Sequence, residues 1–305
     1  MISSSRKGLY PCHRGRRNPG HALDRPHGGA ALSTEPGGIP PVTDRVRRVS
    51  VIKRVGEAAE RVPDAVAAEE PLEIRLAESP FAVVMRTPGD DDDLVTGFLL
   101  TEGMLLGPDE IGALVRTDDQ ESSRISVRFR EGVEVDPTRF QRNLFMSSSC
   151  GVCGKASIEA VQLFAQPSRD FTVRREIVGS LTDRLRAHQP TFDETGGLHA
   201  AGVFDLEGTA LAVREDVGRH NAVDKAIGAA AVRRWPLPPS LLVVSGRQSF
   251  EIVQKAAVAG IGGVIGVSAP SSLAVELAES LAMLLIGFSR GGAFNVYAGD
   301  EHLVA

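Results

Sequence analysis

The sequence predicts an α/β protein with a smaller β-rich region ahead of its main α/β unit. Two short apolar runs, "SLLVVSG" and "GGVIGVSA", follow one another in the last third of the chain, with a further apolar run near "FNVYA". The helical segments "SFEIVQKAAVAG" and "SLAVELAESLAMLLIG" separate them, an alternation that implies a largely parallel sheet covered on both faces. Just upstream, "HAAGVFDLEGTALAVRED" reads as a hairpin turning at Glu207-Gly208.

The elements follow in order from the N-terminus. Residues 1–45 are rich in Gly, Pro, Arg and His without apolar periodicity, and read as a disordered extension. Arg16-Arg17 is not an export signal, because no adequate apolar stretch follows. Cys12, His13, His21 and His27 lie in the same extension and read as a flexible tail rather than a metal site. Residues 46–145 form the smaller β-rich domain. There "PLEIRLAESPFAVVMRT" gives two extended runs around a Glu-Ser-Pro turn, and "RISVRFREGVEVD" returns to strand alternation. Between them "PGDDDDLVTGFLLTEGML" opens a helix, its aspartates at the end where the macrodipole favours negative charge, on a solvated face. Residues 146–305 carry a Cys-x-x-Cys loop and the α/β domain. Within them "PSRDFTVRREIVGSLTDRLRAHQPTFDETGG" reads as a linker or helical connection, and "VGRHNAVDKAIGAAAVRRW" as a helix burying Val223, Ile227 and Ala230.

Composition narrows the function. A formal net charge of -5 gives no bulk attraction to nucleic acid or an anionic membrane, and one Trp with two Tyr leaves little for stacking on bases. The most apolar stretch, residues 273–288, is interrupted by Glu276 and Glu279 and reads as a core helix, so no membrane span is expected. Three cysteines do not make a disulfide framework, which points to a reducing cytoplasm.

Three motifs carry chemistry. In "MSSSCGVCGK", Cys150 and Cys153 lie in a glycine-containing loop ahead of a helical pattern. A metal site needs further ligands, for which His199 and His220 are candidates, but a zinc deaminase's His-x-Glu pair is missing. A thioredoxin-like pair lacks its usual flanks. A nucleophilic thiolate suits the loop best, because a helix start and the nearby Lys155 favour the anion. The second motif, "EDVGRHNAVDK", brings His220, Asp224 and Lys225 within one helical turn, able to orient an imidazole, hold an anion, or satisfy one another. Asp216 reads as a loop or cap residue. The third is a set of strand ends, "SGRQS", "SAPSS" and "GFSRGGAFNVY", where Arg247, Arg290 and free N–H groups suit a bulky phosphorylated ligand.

In combination, "SSSCGVCGK", "LHAAGVFD", "VREDVGRHNAVDKAIG", "VSGRQSFEIVQKAA" and "GFSRGGAFNVYAG" resemble, in order, the signatures of the formate dehydrogenase accessory sulfurtransferase family. The resemblance spans residues 45–305. It implies a cytidine deaminase-like three-layer fold for the C-terminal domain. It also implies a cytoplasmic sulfurtransferase that takes sulfur from a cysteine desulfurase as a Cys150 persulfide, with Cys153 assisting. The sulfur would pass to the molybdenum cofactor, bis-(molybdopterin guanine dinucleotide), a bound substrate rather than a permanent cofactor, before insertion into formate dehydrogenase. Phe288, Ser289, Arg290, Gly291, Gly292 and Ala293 match the family's cofactor-contacting segment. A homodimer is implied too. The alternative is a non-catalytic cofactor-binding chaperone for formate dehydrogenase assembly.

Overall fold

The structure, a computed structural model, describes residues 45–118, 123–133, 135 and 165–305. The N-terminal extension through residue 44, the expected 145/146 domain boundary, and both Cys150 and Cys153 lie outside the described residues. The chain opens with a two-stranded antiparallel ribbon, β1 (Val46–Val55) and β2 (Ala58–Ala67). Four strands follow: β3 (Glu70–Leu76), β4 (Ser79–Arg86), β5 (Ile111–Asp118) and β6 (Ser123–Phe129), in the order β4-β3-β6-β5. The β3–β4 turn falls on Ala77 and Glu78, with Ala77 at φ 51°, one residue earlier than the Glu-Ser-Pro expected. Alternate residues Leu72, Ile74 and Leu76 of β3 and Ile125 and Val127 of β6 point to a core completed by α1 (Asp91–Thr101).

The aspartate run does open α1, and Asp92 does lie exposed beside Arg116, but its neighbours turn inward. Asp91 is buried and takes a two-pronged bond from the fully buried Arg86, Nε to Oδ1 at 2.9 Å and Nη2 to Oδ2 at 3.0 Å. Asp93 binds Arg214 at 2.7 Å and Asp90 binds Arg45 at 2.5 Å. Acids chosen for a helix start thus also find arginines from distant strands, and ion pairing replaces solvation.

The segment expected as a linker or helical connection is helical, and its main helix is also a core layer. After the short β7 (Val173–Arg174), α2 (Arg175–Arg186) buries Ile177, Val178, Leu181 and Leu185, and α3 (Pro190–Thr195) follows. The remaining elements are β8 (His199–Asp205), β9 (Ala210–Asp216), α4 (Arg219–Arg233), β10 (Ser240–Val244), α5 (Phe250–Val258), β11 (Gly263–Gly266), α6 (Ser272–Leu281), β12 (Leu284–Arg290), β13 (Ala293–Ala298) and β14 (Leu303–Val304). Six of these strands form one sheet in the order β13-β12-β11-β10-β8-β9. Only β10, β11 and β12 are mutually parallel; β8, β9 and β13 run antiparallel to their neighbours, so the sheet is mixed.

Both sheet faces are covered, which is why these strands read as continuous apolar runs. Leu241 and Val243 face α2, whereas Leu242 and Val244 face the layer of α4, α5 and α6. Each such fully buried side chain contributes about 1.5–3 kcal/mol. The expected helix over "SLAVELAESLAMLLIG" stops at Leu281: Ala282 turns left-handed at φ 54°, and Leu284, Leu285 and Ile286 enter β12. The stretch 273–288 is therefore a helix and a strand, not one core helix. Among the described residues no helix is long and apolar enough to cross a membrane.

The two sheets are joined through helices. Helix α4 is covered by its own sheet on one side and by α1 on the other, so it is buried nearly all round from Ala222 to Ala231. At the crossing, Gly97 of α1 meets the backbone of Asp224 and Gly228. Only residues without a side chain allow that approach.

Candidate functional site

The α/β architecture gathers four loops at one edge of the six-stranded sheet. The turn from β9 into α4 (217–218), the loop from β10 into α5 (245–249), the loop from β11 into α6 (267–271) and the β12–β13 turn all leave the same strand ends. Ligands bind at this edge in open α/β sheets, because strands stop and helix N-termini begin.

Gln248 fixes two of these loops. It is fully buried, and its Nε2 donates to the carbonyls of Ile286 at 2.9 Å and Ser268 at 3.2 Å. A Cβ on Gly266 would lie 2.0 Å from that nitrogen, so the β11 terminus needs glycine where the amide crosses it. Ser245 Oγ accepts from the Ala200 N–H at 2.9 Å and holds the β10 loop beside the start of β8.

The "EDVGRHNAVDK" residues separate instead of forming one cluster, although α4 begins at Arg219 as the spacing predicts. Asp216, fully buried at the end of β9, accepts from Lys225 Nζ at 2.8 Å, the Thr87 N–H at 3.0 Å, the Gly218 N–H at 2.8 Å and Asn221 Nδ2 at 3.0 Å. Lys225 also donates to the Thr87 carbonyl at 2.8 Å. Asp216 is thus both the loop residue expected and the anchor of a buried pair. Asp224 turns to α1 and α5, accepting from Thr101 Oγ1 at 2.7 Å and Lys255 Nζ at 3.0 Å. Burial opposes the charge on Lys255, but Asp224 and Glu102 outweigh it and raise its pKa, keeping the ammonium ionised. Lys255, Thr87 and Glu251 carry no local signal that singles them out in the sequence, because their partners are distant in the chain.

His220 faces outward. Its Nε2 lies 2.8 Å from Glu251 Oε2 and 3.5 Å from Ser249 Oγ. That hydrogen bond is the main reason Glu251 is held below the ordinary carboxylate pKa, against the effect of burial. Beside it stands His199, the first residue of β8. A Cβ on Gly246 would lie 3.3 Å from His199 Nδ1 and 4.0 Å from Arg219 Cβ, which places the imidazole, the arginine and the β10 loop together. Burial, then the charge of Arg219, pushes the His199 pKa below its usual value; Asp216 opposes, and His220 and Arg247 add to the fall. Among the described residues no group of His, Cys, Asp and Glu is placed to hold a metal ion.

The segment 288–293 forms the end of β12 and its turn into β13. Phe288 is half exposed at φ 53°, a strained value for an aromatic residue, and its N–H donates to the Ser268 carbonyl at 3.2 Å. Ser289 is fully buried with no partner for its Oγ, and Arg290 is exposed. Gly291 and Gly292 turn at φ 57° and 83°, with Gly292 close against Gly179 of α2. The structure therefore joins this segment to the loop after β11, while Cys150 and Cys153 fall outside the described residues.

Comparison with known proteins places the chain as a whole. A sulfur carrier protein FdhD from Streptomyces avermitilis is 48% identical over 275 residues, covering 87% of this chain and 96% of that protein. A protein of the same name from Mycobacterium tuberculosis is 47% identical over 254 residues, 79% of this chain and 92% of the relative. A solved structure from Desulfotalea psychrophila, described as a candidate formate dehydrogenase accessory protein, superposes with a TM-score of 0.68 at 22% identity. It covers 86% of this chain and 100% of that one, a likeness of fold. The FdhD/NarQ family profile matches residues 67–304, and with relatives this similar along nearly their whole length, the chain belongs to the FdhD/NarQ family.

Proposed function

We propose that this chain is a sulfur carrier serving formate dehydrogenase. The observation that carries the reading is near full-length similarity, at 48% identity, to a protein named sulfur carrier protein FdhD, in a chain whose sequence presents Cys150-Gly-Val-Cys153. In this reading Cys150 thiolate attacks the outer sulfur of a cysteine desulfurase persulfide. The S–S bond of the donor breaks, its cysteine leaves as thiolate, and Cys150 becomes the persulfide. Cys153 thiolate then attacks the inner, Cys150 sulfur, forming a Cys150–Cys153 disulfide and releasing the outer sulfur as hydrosulfide to the molybdenum cofactor held as substrate. A cellular dithiol returns the disulfide to two thiols.

The loops at the strand-end edge support the cofactor half of this proposal. The half-exposed Phe288 offers a stacking face, Ser289 a buried hydroxyl without partner, and Arg290 a cation beside two glycines through which a phosphate can approach the backbone. The strand order, with β8 antiparallel to β10 and helices on both faces, supports the deaminase-like three-layer description. The deaminase scaffold would then carry different chemistry, since function is in the site and not the fold. A homodimer and cytoplasmic location belong to the same proposal.

Mass spectrometry after incubation with a cysteine desulfurase and cysteine tests it. One added sulfur, a gain of about 32 Da, is expected on Cys150. No gain, or formate dehydrogenase activity fully restored by Cys150→Ala, refutes the persulfide role and leaves the cofactor chaperone in its place.

A further inference from the structure

We infer that the open face of the four-stranded sheet β4-β3-β6-β5, turned away from α1, is the docking surface for an acidic, apolar-centred patch of the formate dehydrogenase apoprotein. This rests on the sulfur-carrier reading and deepens it by naming where the recipient enzyme sits.

The sheet is covered by α1 on one side. Leu72, Ile74, Ile125 and Val127 point into that core, so Glu73, Arg75, Arg124 and Arg128 at the alternate positions point the other way. On the edge strand β4, Val83 stands opposite Glu73 in the register and is 67% exposed. Met85, two residues on and opposite Pro71, is 49% exposed. Large apolar side chains next to one another on an edge strand, rimmed by charge, mark a contact surface.

Charge selects the occupant. Glu73 is the one carboxylate among these six side chains, and it is already held by Arg124 Nε at 2.7 Å and Arg75 Nη1 at 2.9 Å. Arg128 is exposed and has no hydrogen bond or ion pair among the described residues. Three guanidinium groups against one carboxylate leave the face positive on a chain whose formal net charge is -5. An acidic surface fits such a face: the arginines steer and orient it, and Val83 and Met85 supply the desolvated centre. Nucleic acid fits worse, because the aromatic side chains of these strands, Phe81 and Phe129, pack on the core side and offer no platform for bases.

Position says which partner. Strand β4 leads straight to the strand-end edge of the six-stranded sheet. Asn221 Nδ2, at the start of α4, donates to the Met85 carbonyl at 2.7 Å, and the Thr87 N–H donates to Asp216 at 3.0 Å. An enzyme seated on Val83 and Met85 is therefore beside the loops proposed to hold the cofactor, where the recipient must come to take it. A cysteine desulfurase has only to reach Cys150.

Biolayer interferometry between the full-length protein and purified formate dehydrogenase prepared without its cofactor tests the assignment. Binding is expected, and it should weaken as salt rises from about 50 to about 300 mM. Val83→Glu and Arg128→Glu should each weaken it at least about tenfold, with melting unchanged because both side chains are exposed. Lys53→Glu, the same reversal of charge at an exposed position of β1, should leave it unchanged. None of the three should alter the gain of sulfur on Cys150. Binding unmoved by both face substitutions, or no binding of the wild type at about 50 μM, overturns the docking surface. If the enzyme binds through Val83 and Arg128 but Cys150 gains no sulfur, the docking surface stands and the carrier reading falls. If Cys150 gains sulfur and both substitutions leave formate dehydrogenase binding intact, the carrier reading stands and the docking surface falls.

Discussion

Replacing Gly97 by alanine should destabilise the protein, although helix propensity alone argues the reverse. In an open helix interior that change stabilises by about 1 kcal/mol. Here the new methyl would lie 1.8 Å from the Asp224 carbonyl oxygen, 2.6 Å from its carbon and 2.9 Å from the Gly228 nitrogen. Those atoms are backbone of a buried helix, so no side chain can swing away. Reaching an ordinary contact of about 3.5 Å requires α1 and α4 to part by roughly 1.5 Å, more than the gap that already forfeits up to half of a dispersion well. Overpacking of this kind costs about 3 kcal/mol at the upper end of the usual range, leaving a net loss of about 2 kcal/mol after the propensity gain. For a unit of this size that lowers the melting temperature by about 4–8 °C.

Differential scanning calorimetry reads the effect. Gly228→Ala should behave alike, since its methyl would lie 2.0 Å from the Asp93 carbonyl oxygen and 2.7 Å from the Gly97 nitrogen. The double variant should lose less than the sum, because one separation of the helices accommodates both methyl groups. A Gly97→Ala protein that melts at or above the wild type would refute the close crossing.

Two further outcomes follow from buried charge. Lys225→Met leaves Asp216 without its cation and should cost about 3–5 kcal/mol in urea unfolding, with Asp216→Asn in the same chain recovering part of it. Because burial and then Arg219 hold the His199 pKa below 6.5, its share of stability is present above that pH and lost as pH falls through the lower folded value. His199→Gln should therefore flatten the acid side of the stability profile below about pH 6.5, measured by urea midpoints.

What the sequence made legible was what local patterns determine. The strands β10 and β11 announced themselves because a sheet buried on both faces needs unbroken apolar runs. The same property hid the start of β12, since "LLIG" is equally apolar as the end of a helix, and the left-handed turn at Ala282 has no glycine to mark it. Helix α2 is legible in the spacing of Ile177, Leu181 and Leu185, whereas its role as a layer over the sheet depends on strands far along the chain. The aspartate run marks a helix start and Asp92 its solvated face, but nothing local says that Arg86 and Arg214 will meet Asp91 and Asp93. The pairing of His220 with Glu251 has the same cause.

That distinction explains why "DVGRHNAVDK" is so dense in polar residues, which composition alone could not. A helix buried on two sides has room for a charge only where another element supplies its complement. Asp224 meets that condition with Lys255 and Thr101, and Lys225 meets it with Asp216 and Thr87. These pairs pin the first turns of α4 to α1, α5 and the end of β9. Arg219 and His220, one turn earlier, then need no inward partner and are held at the strand-end edge by the anchoring of their neighbours. The two roles depend on each other: an arginine on a frayed helix start would fold back to the nearest carboxylate. The buried pairs keep Asp216 and Asp224 occupied, so neither carboxylate draws Arg219 inward.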